Sequence, residues 1–343
     1  MLSSKVVLMG TGGTIAGRSQ AAGDNVGYRA GEVGVDALLS SLRASTPVLA
    51  GRAVEAVQVA QVDSKDMGPL IWSALLRCVR QRLNDPEVSA IVITHGTDTI
   101  EETAFLLELL LATTKPVVLT CAMRPSSALV PDGPQNLLDA LCVAVDPMAH
   151  GVMVVAAGAV HSPRHVTKVH PYRLDAFSSG DEGPVACVEE GRVRWFGKLE
   201  EKGSYTLNCI DINASDFEFF TADNLPRVEL VVSHAGVTGE GVDALLAPGT
   251  ASRPVRGLVV AGTGNGTVHI ELDAALQRAM AQGVVVWLCS RCVAGQVVLP
   301  NAPVHQVGGD PGDVRGMRVV PFSPVKARIA LMLTLWAKLT SAG

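Results

Sequence analysis

The sequence is poor in aromatic and charged residues: of its 343 residues only 4% are aromatic and 18% are charged. The 28 basic and 33 acidic residues leave a formal net charge of −5, which argues against a protein that binds nucleic acid through a basic surface. The 48% of hydrophobic residues supply ample core, so a disordered chain is excluded as well.

Long hydrophobic runs are also missing. The longest uninterrupted apolar stretch, residues 151–160, is well short of the roughly 18 residues that a membrane span needs. The apolar segment at residues 6–9 runs into glycines and is too short for the core of a secretory signal. The sequence therefore predicts a cytoplasmic protein without a membrane partner.

The spacing of the cysteines does not indicate a disulfide framework. There are seven, an odd number scattered in mostly apolar surroundings, which is typical of reduced core thiols rather than of disulfides. Cys289 and Cys292 form one Cys-x-x-Cys pair, but no second pair and no histidine pair stands at the spacing of a zinc site. We therefore expect neither a metal nor any other cofactor.

What is present is an alternation of short β-branched segments with segments of helical period, which predicts an α/β fold with a mostly parallel sheet flanked by helices. In the first half, strands are predicted at residues 5–9, 54–59, 90–94, 117–120 and 152–157. Helices are predicted between them at 35–42, 69–83, 99–111 and 135–145.

The pattern loosens after about residue 191. It resumes with strands at 228–233, 257–261 and 284–288 and helices at 242–246, 270–281 and 324–339. We therefore predict a larger N-terminal domain with the catalytic loops over residues 1–195, an inter-domain linker over 196–227, and a smaller C-terminal α/β domain over 228–343.

Polar segments follow the first four predicted strands: residues 10–17, 63–67, 95–99 and 121–125. Because ligands of open α/β sheets bind beyond the carboxyl ends of the strands, these segments should meet at one rim. They bring hydroxyl groups and carboxylates together. A hydroxyl that attacks an acyl carbon needs such neighbours, to take its proton and to orient the substrate.

Two of these segments also have alternative interpretations. The glycines of residues 10–17 could form a dinucleotide-binding turn, although their spacing is G-x-G-G-x-x-x-G and the expected acidic residue near the end of the second strand is missing. Asp98 or Thr99 could cap a helix, with Glu101 or Glu102 closing a capping box. His95 could be a buried structural imidazole.

Two long segments together resemble the bacterial-type L-asparaginase family, also called asparaginase/glutaminase. They are residues 11–17 (TGGTIAG) and 93–104 (ITHGTDTIEETA), and further matches extend the resemblance over essentially the whole chain. The resemblance implies an amidohydrolase that splits L-asparagine into L-aspartate and ammonia through a threonine acyl-enzyme intermediate, with L-glutamine as an alternative substrate.

Carried over by position, the resemblance implies that Thr14 is the nucleophile and that Tyr28, on a mobile loop, is its hydroxyl partner. Thr97, Asp98 and Lys168 would form a second triad, in which the lysine amine takes the Thr97 proton and Asp98 holds the lysine. A lysine acts as a base only where water is excluded, so the loop with Tyr28 is expected to close over the site.

The resemblance also implies a substrate site. Ser64 would hold the α-carboxylate, Asp98 the α-ammonium group and the carbonyl of Ala122 the amide, while the backbone N–H of Thr97 would face the oxyanion. The family assembles as homotetramers, dimers of dimers, which implies that Asn265 crosses into the site of a neighbouring subunit.

Two positions depart from the family pattern. Members with high asparagine specificity carry Gln after the serine, where this chain has Lys65, and a cation cannot accept a hydrogen bond from an ammonium group. They also carry a Glu shortly after an arginine that resembles Arg291, whereas residues 291–302 hold no carboxylate. A glutaminase-asparaginase of broader amide specificity and a non-catalytic amino-acid-binding relative therefore stay open as alternatives.

Overall fold

The computed structural model of the protein describes residues 5–21, 23–42, 52–111, 113–197, 225–249, 253–299 and 312–341. The chain divides into two compact units, Met1–Glu200 and Glu201–Gly343. The predicted linker, residues 196–227, lies mostly outside the described residues, and the predicted domain boundaries stay a prediction.

The first unit contains an eight-stranded sheet and a two-stranded one in its described part. Its strands are β1 (Lys5–Gly12), β2 (Val54–Val62), β3 (Val88–Thr94), β4 (Val117–Thr120), β5 (Val152–Ala156), β6 (Ala159–His161), β7 (Thr167–Lys168), β8 (Phe177–Ser178), β9 (Ala186–Glu189) and β10 (Arg192–Trp195). The large sheet has the order β10-β9-β6-β5-β4-β3-β1-β2. Strands β1 to β5 pair in parallel, and β6, β9 and β10 extend the sheet with antiparallel pairs.

Helices cover this sheet because its parallel strands are apolar on both faces. They are α1 (Val35–Leu42), α2 (Pro69–Leu83), α3 (Ile100–Leu110) and α4 (Gly133–Ala144). Alternate strand residues such as Leu8 and Val92 share one core cluster with α1 and α4. Helices α2 and α3 are joined by a buried hydrogen bond, 2.9 Å long, that the Trp72 indole donates to Thr103.

The register of the sheet aligns the ends of its central strands. Gly10 of β1 lies opposite Thr94 of β3, and Thr94 lies opposite Thr120 of β4. The chain segments that follow these three positions therefore leave the sheet at the same edge. This alignment places the polar segments 95–99 and 121–125 beside the glycine-rich end of β1.

The second unit is a smaller sheet with three helices in its described part. Its elements are β11 (Arg227–Val232), α5 (Glu240–Leu246), β12 (Val255–Gly262), α6 (Ile270–Ala281), β13 (Val285–Ser290), β14 (Asp313–Val314), β15 (Met317–Val319) and α7 (Pro324–Ser341). The strand order is β11-β12-β13-β15-β14, and the strands pair in parallel except at β14. Helices α5 and α6 pack into its main apolar cluster.

The α/β class, the mostly parallel sheet and the smaller second sheet are confirmed. The bounds of α1, α2 and α6 are those that the sequence predicts. Strand β1 runs past the predicted end at residue 9 to Gly12, and β6 to β10 were not predicted because they are short and carry little apolar periodicity. Within the described ranges, no helix has the length and apolar character that crossing a membrane requires.

Candidate active site

Thr14 and Tyr28 form the first pair of hydroxyl groups. Thr14 is buried in a three-residue 3-10 turn, Thr14–Ala16, which directly follows β1. Its Oγ1 lies 2.6 Å from the Tyr28 hydroxyl, and either group can donate. The glycines at the end of β1 open this short turn, and α1 begins only at Val35, so the dinucleotide-binding interpretation is wrong.

Thr97, Asp98 and Lys168 form the second cluster. The Lys168 ammonium donates to Thr97 Oγ1 at 2.8 Å and to Asp98 Oδ1 at 2.6 Å. The lysine side chain is 17% exposed, whereas the Asp98 side chain is 53% exposed. The amine is therefore largely withdrawn from water, while the carboxylate keeps a side open to a ligand.

The two clusters are joined through the residues that precede the threonines. The backbones of Gly13 and Gly96 are packed so closely that a Cβ at Gly13 would overlap Gly96 N and Cα. Ser64 lies beside them: its hydroxyl accepts the Asp98 N–H at 3.2 Å. Its carbonyl accepts the Thr99 hydroxyl at 2.7 Å. The structure therefore brings the strand-end segments at Thr14, Ser64 and Thr97 together, as the rim argument predicts.

Residues 97–102 contain the start of a helix, as the structural interpretation expects, but the Thr99 side chain does not form its part of a capping box. Thr99 is the N-cap of α3, but its side chain makes no capping bond and binds the Ser64 carbonyl instead. Glu101, in the first turn of α3, accepts the backbone N–H of Lys168 at 2.7 Å. We did not predict this role of Glu101, because its position in the sequence matches a local cap equally well.

The peptide units around Ala122 are fixed from both sides. Asn136 donates to the carbonyl of Cys121 at 2.9 Å, and Asp132 accepts the N–H of Met123 at 2.9 Å. The same Asn136 accepts the N–H of Ala157 at 3.0 Å through its Oδ1. Asp132 and Asn136 are among the further matches to the family, but no local pattern in the sequence indicates this supporting role.

Lys65 is held within its own turn. Its ammonium lies 2.9 Å from a carboxylate oxygen of Asp63 and 2.9 Å from one of Asp66. These hydrogen bonds, led by the one to Asp63, raise the pKa of Lys65 above its ordinary value. The lysine that departs from the family pattern is therefore a paired charge, and its side chain is 61% exposed.

The second unit holds the remaining predicted site residue. The Asn265 amide donates to the Val298 carbonyl at 2.8 Å and accepts the Val298 N–H at 2.7 Å. Both bonds lie within one chain, and a crossing of Asn265 into a neighbouring subunit stays a prediction. Arg291 donates to the carbonyl of Ser233 at 3.5 Å, a weak contact.

His95, which belongs to the second of the two segments that carry the resemblance, is fully buried. Its Nδ1 lies 2.8 Å from the Gly96 carbonyl, so the neutral ring carries its hydrogen on Nδ1. Among the described residues, Nε2 has no hydrogen-bond partner. Desolvation lowers the pKa of His95 from 6.5 to about 4, and the hydrogen bond to Gly96 opposes this only in part.

The buried imidazole makes stability depend on pH. Because the folded pKa of His95 is lower than the unfolded one, the unfolded chain binds more protons between these values, and the free energy of unfolding falls as the pH drops through this range. At about pH 5 this titration lowers the free energy of unfolding by about 2 kcal/mol relative to its value well above the unfolded pKa. Urea unfolding near neutral pH and near pH 5 measures it. His95→Asn keeps an N–H donor for Gly96 without a titrating ring, so we expect a shallower dependence. Equal pH dependences in the two proteins would contradict the assignment.

Two buried threonine hydroxyls, one hydrogen-bonded to a tyrosine and one to a lysine, lie at the carboxyl edge of the parallel sheet. This is the place where enzymes of the α/β class bind their substrates. The chain belongs to the asparaginase family. A family model described as Asparaginase, N-terminal, matches residues 5–201, and the Glutaminase/Asparaginase C-terminal domain matches residues 227–342.

Known proteins similar to this chain share nearly its full length. The glutaminase-asparaginase of Pseudomonas fluorescens biotype A is 36% identical over 336 residues, which cover 97% of this chain and 86% of that protein. L-asparaginase 2 of Escherichia coli (strain K12) is 31% identical, with 96% and 88% covered. The crystal structure of a probable cytoplasmic L-asparaginase from Campylobacter jejuni has a TM-score of 0.81 and 33% identity, with 98% of each chain covered.

Proposed function

We propose that the chain hydrolyses the side-chain amide of L-asparagine to L-aspartate and ammonia. The observation that carries the proposal is the position of the Lys168 amine, 2.8 Å from the Thr97 hydroxyl and 2.6 Å from the Asp98 carboxylate. The names of the relatives, L-asparaginase and glutaminase-asparaginase, support the same chemistry.

In the first half-reaction the Thr14 oxygen attacks the amide carbon. The hydroxyl proton passes to Tyr28, which returns a proton to the departing nitrogen as the carbon–nitrogen bond breaks. Ammonia leaves, and an ester to Thr14 remains. The backbone N–H of Thr97 is assigned to the oxyanion, because the negative charge that develops on that oxygen needs a positioned donor.

In the second half-reaction water attacks the ester. The Thr97 hydroxyl takes a proton from the water while it passes its own to the Lys168 amine, a step that requires the lysine in its deprotonated form. Asp98 stabilises the ammonium ion that forms. The carbon–oxygen bond to Thr14 then breaks, and the proton that Lys168 took up returns through the Thr97 hydroxyl to the Thr14 oxygen. This step regenerates the base and the nucleophile, and L-aspartate is released. These steps need only protein groups, substrate and water.

The groups proposed to bind the substrate are assigned from their exposure and their hydrogen bonds. Ser64 is assigned to the α-carboxylate, and Asp98, which is half exposed, can meet the α-ammonium group on the side away from Lys168. The carbonyl of Ala122 is assigned to the amide, since the peptides on either side of it are fixed. Asn265 is proposed to complete the site from a second subunit of a homotetramer, on the family resemblance alone.

A glutaminase-asparaginase of broader specificity is the second candidate. The observation that favours it is Lys65, which lies next to Ser64, offers no acceptor to an α-ammonium group and has its charge paired with Asp63 and Asp66. Weaker selection at the α-ammonium group would admit L-glutamine beside L-asparagine.

A cytoplasmic location is likewise proposed: the Campylobacter jejuni structure bears that description, whereas the Haemophilus influenzae relative is named periplasmic.

Ammonia release from L-asparagine and L-glutamine by the purified chain tests the function. Thr14→Ala is expected to lower kcat for L-asparagine by about a thousandfold, because it removes the nucleophile. Hydroxylamine added to the intact enzyme should capture the acyl group as the hydroxamate of aspartate, and the Thr14 variant should give none.

Thr334→Ala is the matched control. Its hydroxyl donates to the Ala330 carbonyl of its own helix, at 2.8 Å, and the variant should keep full turnover. If neither amino acid released ammonia above background, the substrate assignment would fail. Full activity of Thr14→Ala would instead refute the acyl-enzyme mechanism while leaving the substrate in place.

A further inference from the structure

We infer that Ser126 and Ser127 are positioning residues for Tyr28, an inference that rests on the proposed function. Tyr28 is carried by a loop whose described residues are 17–21 and 23–29, called here the Tyr28 loop. The serines belong to residues 123–132 after β4, called here the support loop. Their hydroxyl groups bind the Tyr28 loop at the residues next to the active site.

The Tyr28 loop is internally braced. Arg18 and Arg29 exchange backbone hydrogen bonds of 2.9 Å and close the loop at its base. Asp24 accepts the N–H groups of Val26 and Gly27 at 2.9 and 2.8 Å. Because its base and tip are both tied, the loop should move largely as one piece, and a contact at its base should set where Tyr28 lies.

The base of the loop directly supports the tyrosine ring. A Cβ at Gly17 would lie 2.7 Å from Tyr28 Cδ2, so the ring rests against the Gly17 backbone. The carbonyl of that same Gly17 accepts two hydrogen bonds from Ser126, one from its backbone N–H at 3.0 Å and one from its hydroxyl at 2.7 Å. Ser126 therefore holds the peptide unit on which Tyr28 packs.

Two further contacts come from the support loop. The hydroxyl of Ser127 accepts the Ser19 N–H at 2.8 Å. Leu129 Cδ1 lies 3.6 Å from the position that a Cβ of Gly23 would take, at ordinary van der Waals distance. The Tyr28 loop is thus held at its base by two serines and contacted further along by a leucine.

The support loop has a scaffold of its own. Asp132 accepts the N–H groups of Met123 and Arg124, each at 2.9 Å, and Arg124 donates to the Val130 carbonyl at 3.2 Å. These bonds do not involve the Tyr28 loop. Removing the two serine hydroxyls should therefore free the Tyr28 loop without unfolding the loop that supports it.

The test is a double-mutant cycle with Tyr28→Phe. In the otherwise unchanged enzyme, the Ser126→Ala, Ser127→Ala double variant should lower kcat for L-asparagine roughly tenfold, since two hydrogen bonds that set the loop position are lost. In the Tyr28→Phe background the same two changes should have little further effect, because they act through the missing hydroxyl. An equal loss in both backgrounds would overturn the inference and indicate a general structural role.

A second readout does not depend on turnover. The chain has three tyrosines, so fluorotyrosine labelling gives a simple fluorine NMR spectrum in which Tyr28→Phe identifies the Tyr28 signal. The double variant should shift or broaden that signal, and Ser126→Thr with Ser127→Thr should restore it. An unchanged signal would overturn the inference even if the chain proved inactive toward every amide, which keeps the two failures distinguishable.

Ser40→Ala serves as the matched control for both measurements. Its hydroxyl donates to the Asp36 carbonyl of α1 at 2.8 Å and has no contact with the Tyr28 loop in the described structure. It should change neither kcat nor the Tyr28 signal. A control that lowered kcat as much as the double variant would show that the loss is not specific to the serines, and would overturn the inference.

Discussion

Replacing Lys168 with methionine is expected to lower kcat for L-asparagine by about a thousandfold while the protein stays folded, because the amine is the proposed base of the second half-reaction. The backbone N–H of Lys168 keeps its bond to Glu101 in the variant, so β7 stays in place. Asp98, left without its cation, is half exposed and can be solvated. Steady-state ammonia release and a thermal melt measure the two effects.

Lys168→Arg separates a base from a fixed positive charge. A guanidinium group can still pair with Asp98, but it does not lose its proton in a protein, so the arginine variant should be nearly as inactive as the methionine variant. An arginine variant with activity close to that of the parent would show that Lys168 acts only by its charge. The proton transfer from Thr97 would then have to be abandoned.

The fold could be predicted where its pattern is local. The bounds of α2 follow from apolar residues at helical spacing and from the proline that begins the helix, and both signals lie within the segment itself. The end of β1 could not be predicted in the same way. Glycines usually interrupt a strand, but Gly10 here keeps its place between Gln58 and Thr94 because neighbours on both sides supply its pairing.

The candidate site was predictable in its strand ends and unpredictable in its tertiary contacts. The register of a parallel sheet brings residues 95–99 and 121–125 to one edge whatever the details of their loops. Lys168 lies on a two-residue strand in a segment that also holds Arg164, His165 and His170, and nothing local distinguishes it from those cations. Only the resemblance singled it out, because its partners are some seventy positions away.

Glu101 and Lys65 show the same division. The sequence placed Glu101 correctly at the start of a helix but could not tell a capping contact from one to the backbone of Lys168. For Lys65 it showed the changed residue type but not the two flanking carboxylates as its partners. In both cases the sequence shows the residue type but not the group that the side chain binds, because that group is set by tertiary packing and by competition among neighbouring side chains.

Gly96→Ala is expected to lower kcat/KM for L-asparagine by about a hundredfold, with most of the loss in KM. A Cβ at Gly96 would lie 2.5 Å from Ser64 Oγ and 2.6 Å from Ser64 Cβ, so the serine has to move as a whole. The new Cβ cannot move away from Ser64 toward Gly13, because the Gly13 Cα would lie only 3.1 Å from it. Steady-state kinetics, together with the affinity for L-aspartate from calorimetry, measure the loss.

The control for this substitution lies in the segment between β2 and α2, which also carries Ser64. A Cβ at Gly68 would meet no atom within 4 Å, so Gly68→Ala adds the same methyl group without displacing Ser64. We expect that variant to bind L-aspartate and to turn over L-asparagine like the parent. If Gly96→Ala also bound L-aspartate normally, a displaced Ser64 would be compatible with full binding, and the assignment of Ser64 to the substrate α-carboxylate would be wrong.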